Sequence, residues 1–458
     1  IRGYLEHTHK RKNRCVMGKE VDVHYIKDAK YMSLSSPPAT KEANRFTEAV
    51  VKLIKANETR KRRRNTQEEE KLPKAVGLIL GDLLIAYDTA DSEYMKKNTN
   101  GLSYHPLSSN YFTDLPVGYV VFRDTIKTLI LTGLITIYDG RSTRPIDFGT
   151  ESKLVFGGGF ASRFKPTPSL ISMATDAGLT EGAFHTAFIT QMPRRVLEVR
   201  ATKLKGQNKG NRMSPEPTER SNQMVEDVKA INDYLSSFTF TGMVFDGLRR
   251  SFNEGDRKEF DYNLGGRLYC AGGEGYIGLK KPKRTEILIN GEEVVEIDIN
   301  ASYLTIFHAL KGVPMPDRAD IYDIGELPRA VVKQWFSITM GNDGFHTKWL
   351  KGNIDEMKEA GAAYKSWMTM KKVETIILKH FPVMKEWPKQ EVRWSNLMFL
   401  ESEIIVGTML ELMRQHKAPS LPVHDCIIVR KSDRKLAEST LTKQFQLLTG
   451  ITPRLKVK

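Results

Sequence analysis

Two aspartates far apart in the chain have the neighbours and spacing that metal-assisted chemistry needs. Asp298 closes a run of β-branched apolar residues, Val294 to Ile299, that reads as a largely buried strand. Apolar residues at helical spacing follow at Leu304, Phe307 and Leu310. Asp425 follows His424 between two short apolar runs within Ser420–Arg430, a pattern that predicts a hairpin whose tight turn presents Asp425. Strand ends deliver side chains into crevices, and carboxylates there are candidate ligands for hard cations. Two on adjacent strands can hold two Mg²⁺ ions. Such a pair activates an attacking hydroxyl and offsets charge on a leaving pyrophosphate. Each aspartate also has a plainer reading. Asp298 can be a polar strand end before a helix capped through Asn300 or Ser302, and His424-Asp425 a surface turn.

Between them lie Arg329 and Lys333, four apart and so on one helix face. Paired cations suit a metal-bound triphosphate, with the lysine able to give a proton to pyrophosphate. A lone Arg-x-x-x-Lys is more commonly a solvent-exposed basic stripe.

These residues need elements to hold them, and 458 residues allow two or three domains. The formal charge of +15 favours a polyanionic partner, nucleic acid before anionic membrane. Cys15, Cys270 and Cys426 are scattered, without a Cys-x-x-Cys. That argues against a zinc site or disulfide scaffold and fits a reducing cytoplasm. No apolar run approaches membrane-spanning length, no secretory signal is evident, and the chain begins at Ile1 rather than Met, as a fragment or processed chain would.

Residues 1–71 read as a basic arm, with charge runs His7–Arg14 and Thr59–Arg64 around an amphipathic helix near Thr40–Lys55. Residues 72–202 read as a small α+β domain. It holds a helix over Ala75–Asp88 and a one-faced helix over Phe122–Ile130 that stops at Gly133. A strand, Leu134–Tyr138, then leads through the turn Asp139-Gly140 into a basic hairpin bearing Arg141, Arg144, Lys153, Arg163 and Lys165. This order is that of a winged-helix module, and equally of a small α+β domain that binds nothing. Residues 203–220 are polar and aperiodic and read as a linker. Met224, Val228, Ile231 and Leu235 then mark another amphipathic helix.

The order Gly265-Gly-Arg267-Leu, Glu296-Ile-Asp298, Arg329-xxx-Lys333, His424-Asp425 resembles family A DNA polymerases. A charged helix over Asp433–Leu448, a closing strand at Pro453–Val457 and a helix Leu397–His416 opened by Arg393-Trp-Ser-Asn396 resemble the family too, so the similarity covers about residues 220–458. The resemblance implies an α+β right-hand fold, with thumb and start of palm at 221–290 and palm and fingers at 291–458. It implies a template-directed DNA polymerase in which Asp298, Asp425 and the Ile299 carbonyl bind two Mg²⁺, replaceable by Mn²⁺. Arg329 and Lys333 would hold the triphosphate, Arg267 the minor-groove side of the primer terminus and His424 the primer end. Partners would be a DNA primer–template and dNTPs, without a membrane. Tyr303 stands where the family's DNA enzymes carry a sugar-selecting Glu, and its bulk predicts deoxynucleotide preference. Cys426 replaces the Glu that usually follows His-Asp, as in the related phage-type RNA polymerases. Met340-Gly341 replaces an aromatic-Gly pair used in base stacking. Glu401, on the helix before the hairpin, is open between orienting its neighbours and a capping or surface role. No set of exonuclease carboxylates is evident in 1–220, which predicts no proofreading. The alternatives are an RNA polymerase or primase, and an inactive DNA-binding replication protein; the type of chain points to a phage or mobile element.

Overall fold

A computed structural model describes residues 29–57, 64–88, 100–112, 115–138, 161–204, 209–272, 275–279, 281–361, 364–389 and 392–458. The chain is mixed α+β and divides into two compact units, 1–191 and 192–458. None of the described helices is long and apolar enough to cross a membrane.

In the first unit the expected amphipathic helix is α1 (Lys41–Ala56), whose N-cap Thr40 accepts a hydrogen bond from the Ala43 amide. It packs on α2 (Thr66–Asp88), which begins nine residues before the expected start at Ala75 and contains Pro73 in its second turn. Helix α3 (Tyr119–Leu131) ends as predicted at Gly133, whose φ of 71° suits a residue without a Cβ. Strand β3 (Ile135–Tyr138) pairs with β4 (Arg163–Pro166) in a sheet completed by β1 (Lys30–Tyr31) and β2 (Ser103–Tyr104). The charge runs His7–Arg14 and Thr59–Arg63 lie outside the described residues, as do the turn Asp139-Gly140 and Arg141, Arg144 and Lys153. Arg163 was expected among the cations of a basic hairpin. Instead it is 5% exposed, its guanidinium over the Tyr104 ring and its Nη1 donating to the Ala161 carbonyl.

The second unit holds two sheets. Segment 203–220, expected as a linker, contributes β6 (Arg212–Met213), which pairs with β5 (Leu197–Arg200). Polarity alone misread it, because an edge strand with one wet face has no apolar run. Strands β5, β8 (Leu248–Phe252) and β9 (Gly265–Cys270) complete the order β6-β5-β8-β9, with helix α6 (Glu219–Ser236) packed on β8. Within α6, Met224, Val228, Ile231 and Leu235 are all buried, as their spacing requires.

The other sheet has the order β12-β13-β11-β10-β7, made by Ser420–Val423, Cys426–Arg430, Glu292–Ile299, Leu288–Ile289 and Phe240–Thr241, with β14 (Leu455–Val457) pairing the C-terminal end of β11. Strands β12 and β13 are buried almost throughout. Helices α12 (Trp394–His416) and α13 (Arg434–Thr449) pack together over this region, and α12 also lies against β9 and α8 (Ser302–Leu310). One continuous apolar core runs through these elements.

Candidate active site

Strand β11 ends in Asp298 and Ile299, and the chain enters α8 through Ala301. Ala301 is the N-cap at φ 51°, ψ 44°, and no side chain caps the helix. The expected caps are therefore absent: the Ser302 hydroxyl is buried without a hydrogen-bond partner, and the Asn300 amide donates to the Arg454 carbonyl instead. Left-handed backbone at a residue with a Cβ costs roughly 1–2 kcal/mol, so packing around the strand end imposes this turn.

The hairpin carrying Asp425 forms as predicted. Val423 pairs with Cys426 across a two-residue turn, and His424 has a φ of 57°. The Ile299 amide donates to the Asp425 carbonyl at 3.1 Å, and Asp298 lies opposite Cys426, so both aspartates stand at neighbouring strand ends. Burial, followed by the nearby Glu401 and Asp298 carboxylates, pushes the Asp425 carboxyl up to about 7 despite the Arg267 guanidinium. Burial together with the Arg267 and Arg284 guanidiniums pushes His424 down to about 4, which leaves it neutral at pH 7. Its Nδ1 is buried without a partner, and its ring meets Tyr269 edge-on at 6.0 Å.

Glu401 is neither a cap nor a surface residue. Only 1% of its side chain is exposed, and Oε1 accepts from Arg267 Nε at 2.9 Å and Nη2 at 2.5 Å. Burial alone would loosen the Arg267 proton, but the Glu401 carboxylate more than offsets it. Arg250, wholly buried one strand away, binds the Gly266 carbonyl, Ser402 and Glu403. Helix α12 is thus pinned to β8 and β9 through adjacent arginines. The pinning needs Gly265 and Gly266, at φ 85° and 80°. A Cβ on Gly266 would stand 2.9 Å from Arg250 Nη2 and 3.1 Å from Phe252.

Tyr303 lies in the first turn of α8, with the Arg267 guanidinium 5.4 Å from its ring centre. Its hydroxyl is buried with no partner, and burial followed by the Glu401 charge raises its pKa. Arg329 opens α9 (Arg329–Met340), pairs with Asp320 and sits 5.7 Å from the Tyr322 ring. Burial, followed by the Asp425 charge, raises the Tyr322 pKa. Lys333 follows one turn later on the exposed face of α9. Met340, the last residue of α9, is buried at 2% exposure.

Sequence reading missed Lys458 and Tyr322. Lys458, just past β14, pairs with Asp298 and lies 4.0 Å from Glu296, itself 3% exposed and bound to Arg284 at 2.7 Å. Glu296 was detectable, since residues two apart on a strand share a face. Lys458 and Tyr322 gave no signal, because their contacts join segments remote in sequence. Cys426 is an inert thiol that donates to the Val423 carbonyl, its pKa raised by burial and by nearby carboxylates.

Among the described residues, no three or more His, Cys, Asp or Glu side chains gather as a metal site. What stands at the strand ends is a smaller all-oxygen set, Asp298, Asp425 and the Ile299 carbonyl, of the hard-donor type that suits Mg²⁺ or Mn²⁺. Burial first, and then the neighbouring carboxylates, favour a proton or a cation at Asp425, and Asp298 has the Lys458 ammonium as its counter-charge. A scan of protein-family models matches none to this chain, and a search of curated proteins finds no match.

Proposed function

We propose that this chain is a template-directed DNA polymerase that extends a primer 3′ end with deoxynucleotides and has no proofreading activity. The observation that carries the reading is the pairing of Asp298 and Asp425 at adjacent strand ends, flanked by the Arg267–Glu401 pair and Tyr303.

In this reading the primer 3′ oxygen attacks the α-phosphorus of a dNTP, pyrophosphate leaves, and the hydroxyl proton passes to solvent. Mg²⁺ held by Asp298, Asp425 and the Ile299 carbonyl would supply hydroxyl activation and charge neutralisation at the phosphates. Arg329 and Lys333, on the exposed face of α9, bind the triphosphate, and Lys333 can protonate the leaving pyrophosphate. Arg267, oriented by Glu401, addresses the primer terminus together with neutral His424.

Two other readings draw on specific observations. Cys426 at the third hairpin position favours an RNA polymerase or primase. The Lys458 ion pair with Asp298 favours a DNA-binding protein with an inactive site. Primer extension with dNTPs and with NTPs, run beside Asp425→Ala, separates all three. The proposal expects dNTP-dependent extension that falls by at least about a thousandfold in Asp425→Ala, with duplex binding retained. Extension with NTPs alone would support the RNA polymerase. Equal, null incorporation by wild type and variant with Mg²⁺ and Mn²⁺, both still binding DNA, would establish the inactive site.

A further inference from the structure

One face of the β6-β5-β8-β9 sheet carries a row of charge that the carboxylate site does not use. Arg212 on β6 lies opposite Arg200 on β5, and Arg249 on β8 lies opposite Tyr269 on β9. Glu198 and Arg267 both lie opposite Ser251 of β8, from its two sides. Cross-strand partners share a face, as do residues two apart on one strand. Arg212, Arg200, Glu198, Arg249, Tyr269 and Arg267 therefore project from one side of the sheet. The alternate residues of β8, Leu248, Arg250 and Phe252, are buried on the other.

At the centre of the row the Glu198 carboxylate, 11% exposed, accepts from Arg200 Nε at 2.6 Å, lies 2.9 Å from Arg212 Nη2 and pairs with Arg249. The Lys209 ammonium lies close enough that desolvation and the Arg200, Arg249 and Arg212 guanidiniums lower its pKa. Three guanidiniums and the Lys209 ammonium surround this carboxylate, and the Arg249 Nε is buried without an acceptor. Such a cluster is stabilised by a further anion. The row also leads to the carboxylate site, because Tyr269 meets His424 and Arg267 binds Glu401. Four strands about 4.8 Å apart span about 14 Å, the axial rise of about four nucleotides.

We propose that this sheet face is a phosphodiester track, in which Arg200, Arg212 and Arg249 hold a backbone phosphate of the nucleic acid that ends at Asp298 and Asp425. Glu198 is the internal counter-ion that keeps the guanidiniums ordered. The choice of nucleic acid as the polyanion rests on the polymerase reading.

The test measures binding of the full chain to a fluorescein-labelled primer–template duplex by anisotropy, from about 50 to 200 mM salt. Arg212→Gln and Arg249→Gln each leave Glu198 with two guanidiniums, and thermal melts verify that they fold. Each should weaken binding about tenfold and lower the salt slope by about 0.9. Glu198→Gln should shift affinity the opposite way, which a purely structural role would not do. Unchanged affinity and slope in folded arginine variants would overturn the proposal. So would loss of inorganic phosphate binding with duplex binding unchanged, which would mark a free-anion site. If wild type fails to extend primers while the arginine variants still lose slope, the polymerase reading falls and the track stands.

Discussion

In the proposed polymerase, sugar selection would fall to Tyr303, and the selection would be steric. Its hydroxyl is buried with no hydrogen-bond partner, so the ring rather than the oxygen is what a nucleotide would meet. Tyr303→Phe should therefore retain deoxynucleotide preference and full stability, because removing an unsatisfied buried hydroxyl costs little. Tyr303→Ala should lower discrimination against ribonucleotides by about 10–200-fold, read as the ratio of kcat/KM for dNTP and NTP in primer extension. No gain of ribonucleotide incorporation in the alanine variant would remove Tyr303 from sugar selection. The position was legible in the sequence from its distance to Asp298. Its unsatisfied hydroxyl was not, since that depends on Arg267 and Glu401 arriving from other elements.

The contact between α12 and β9 turns on an arginine–carboxylate pair that a sequence shows only as two separate charges. Glu401 is 1% exposed and Arg267 19% exposed, so truncating the acid strands a largely buried guanidinium. Glu401→Ala should cost about 3–5 kcal/mol in urea unfolding, whereas Glu401→Gln keeps a hydrogen-bond acceptor for Arg267 and should cost less. A loss within about 0.5 kcal/mol in the alanine variant would show that the pair contributes nothing to docking this helix. Helix α12 was expected from the family resemblance, and Gly265-Gly-Arg267 was marked as a motif but not as a strand. Their juxtaposition depends on glycines whose positive φ lets β9 approach Arg250 and α12.

For the molecule as a whole, charge links stability to pH. Burial would raise the Glu198 pKa, but Arg249, Arg212 and Arg200 outweigh it and hold the carboxyl below its usual value. A carboxyl depressed in the folded state contributes stability above its unfolded pKa of about 4.3, and that contribution is lost as pH falls through the folded value. Unfolding free energy should therefore decline as pH falls below about 4.3, and the decline should be shallower in Glu198→Gln. Parallel pH profiles for the two proteins would show that Glu198 is not held by the guanidiniums. The same charge balance was visible in the sequence only as an overall +15, without position.

Helices α12 and α13 came from the family resemblance, whereas period and punctuation marked β11 and the Asp425 hairpin, because an apolar repeat bounded by a turn is a local property of the chain. The same locality explains the failures. Segment 203–220 read as a linker because an edge strand shows no apolar run, and Arg163 read as one more cation of a basic hairpin because the Tyr104 ring that covers it lies far away in sequence. What folding settled was which side chains meet. Lys458 reached Asp298, Arg329 came to lie by the Tyr322 ring, and three arginines closed on Glu198. Sequence spacing does not encode these contacts, and around Glu198 a one-residue slip of a strand would turn its arginine to the opposite face.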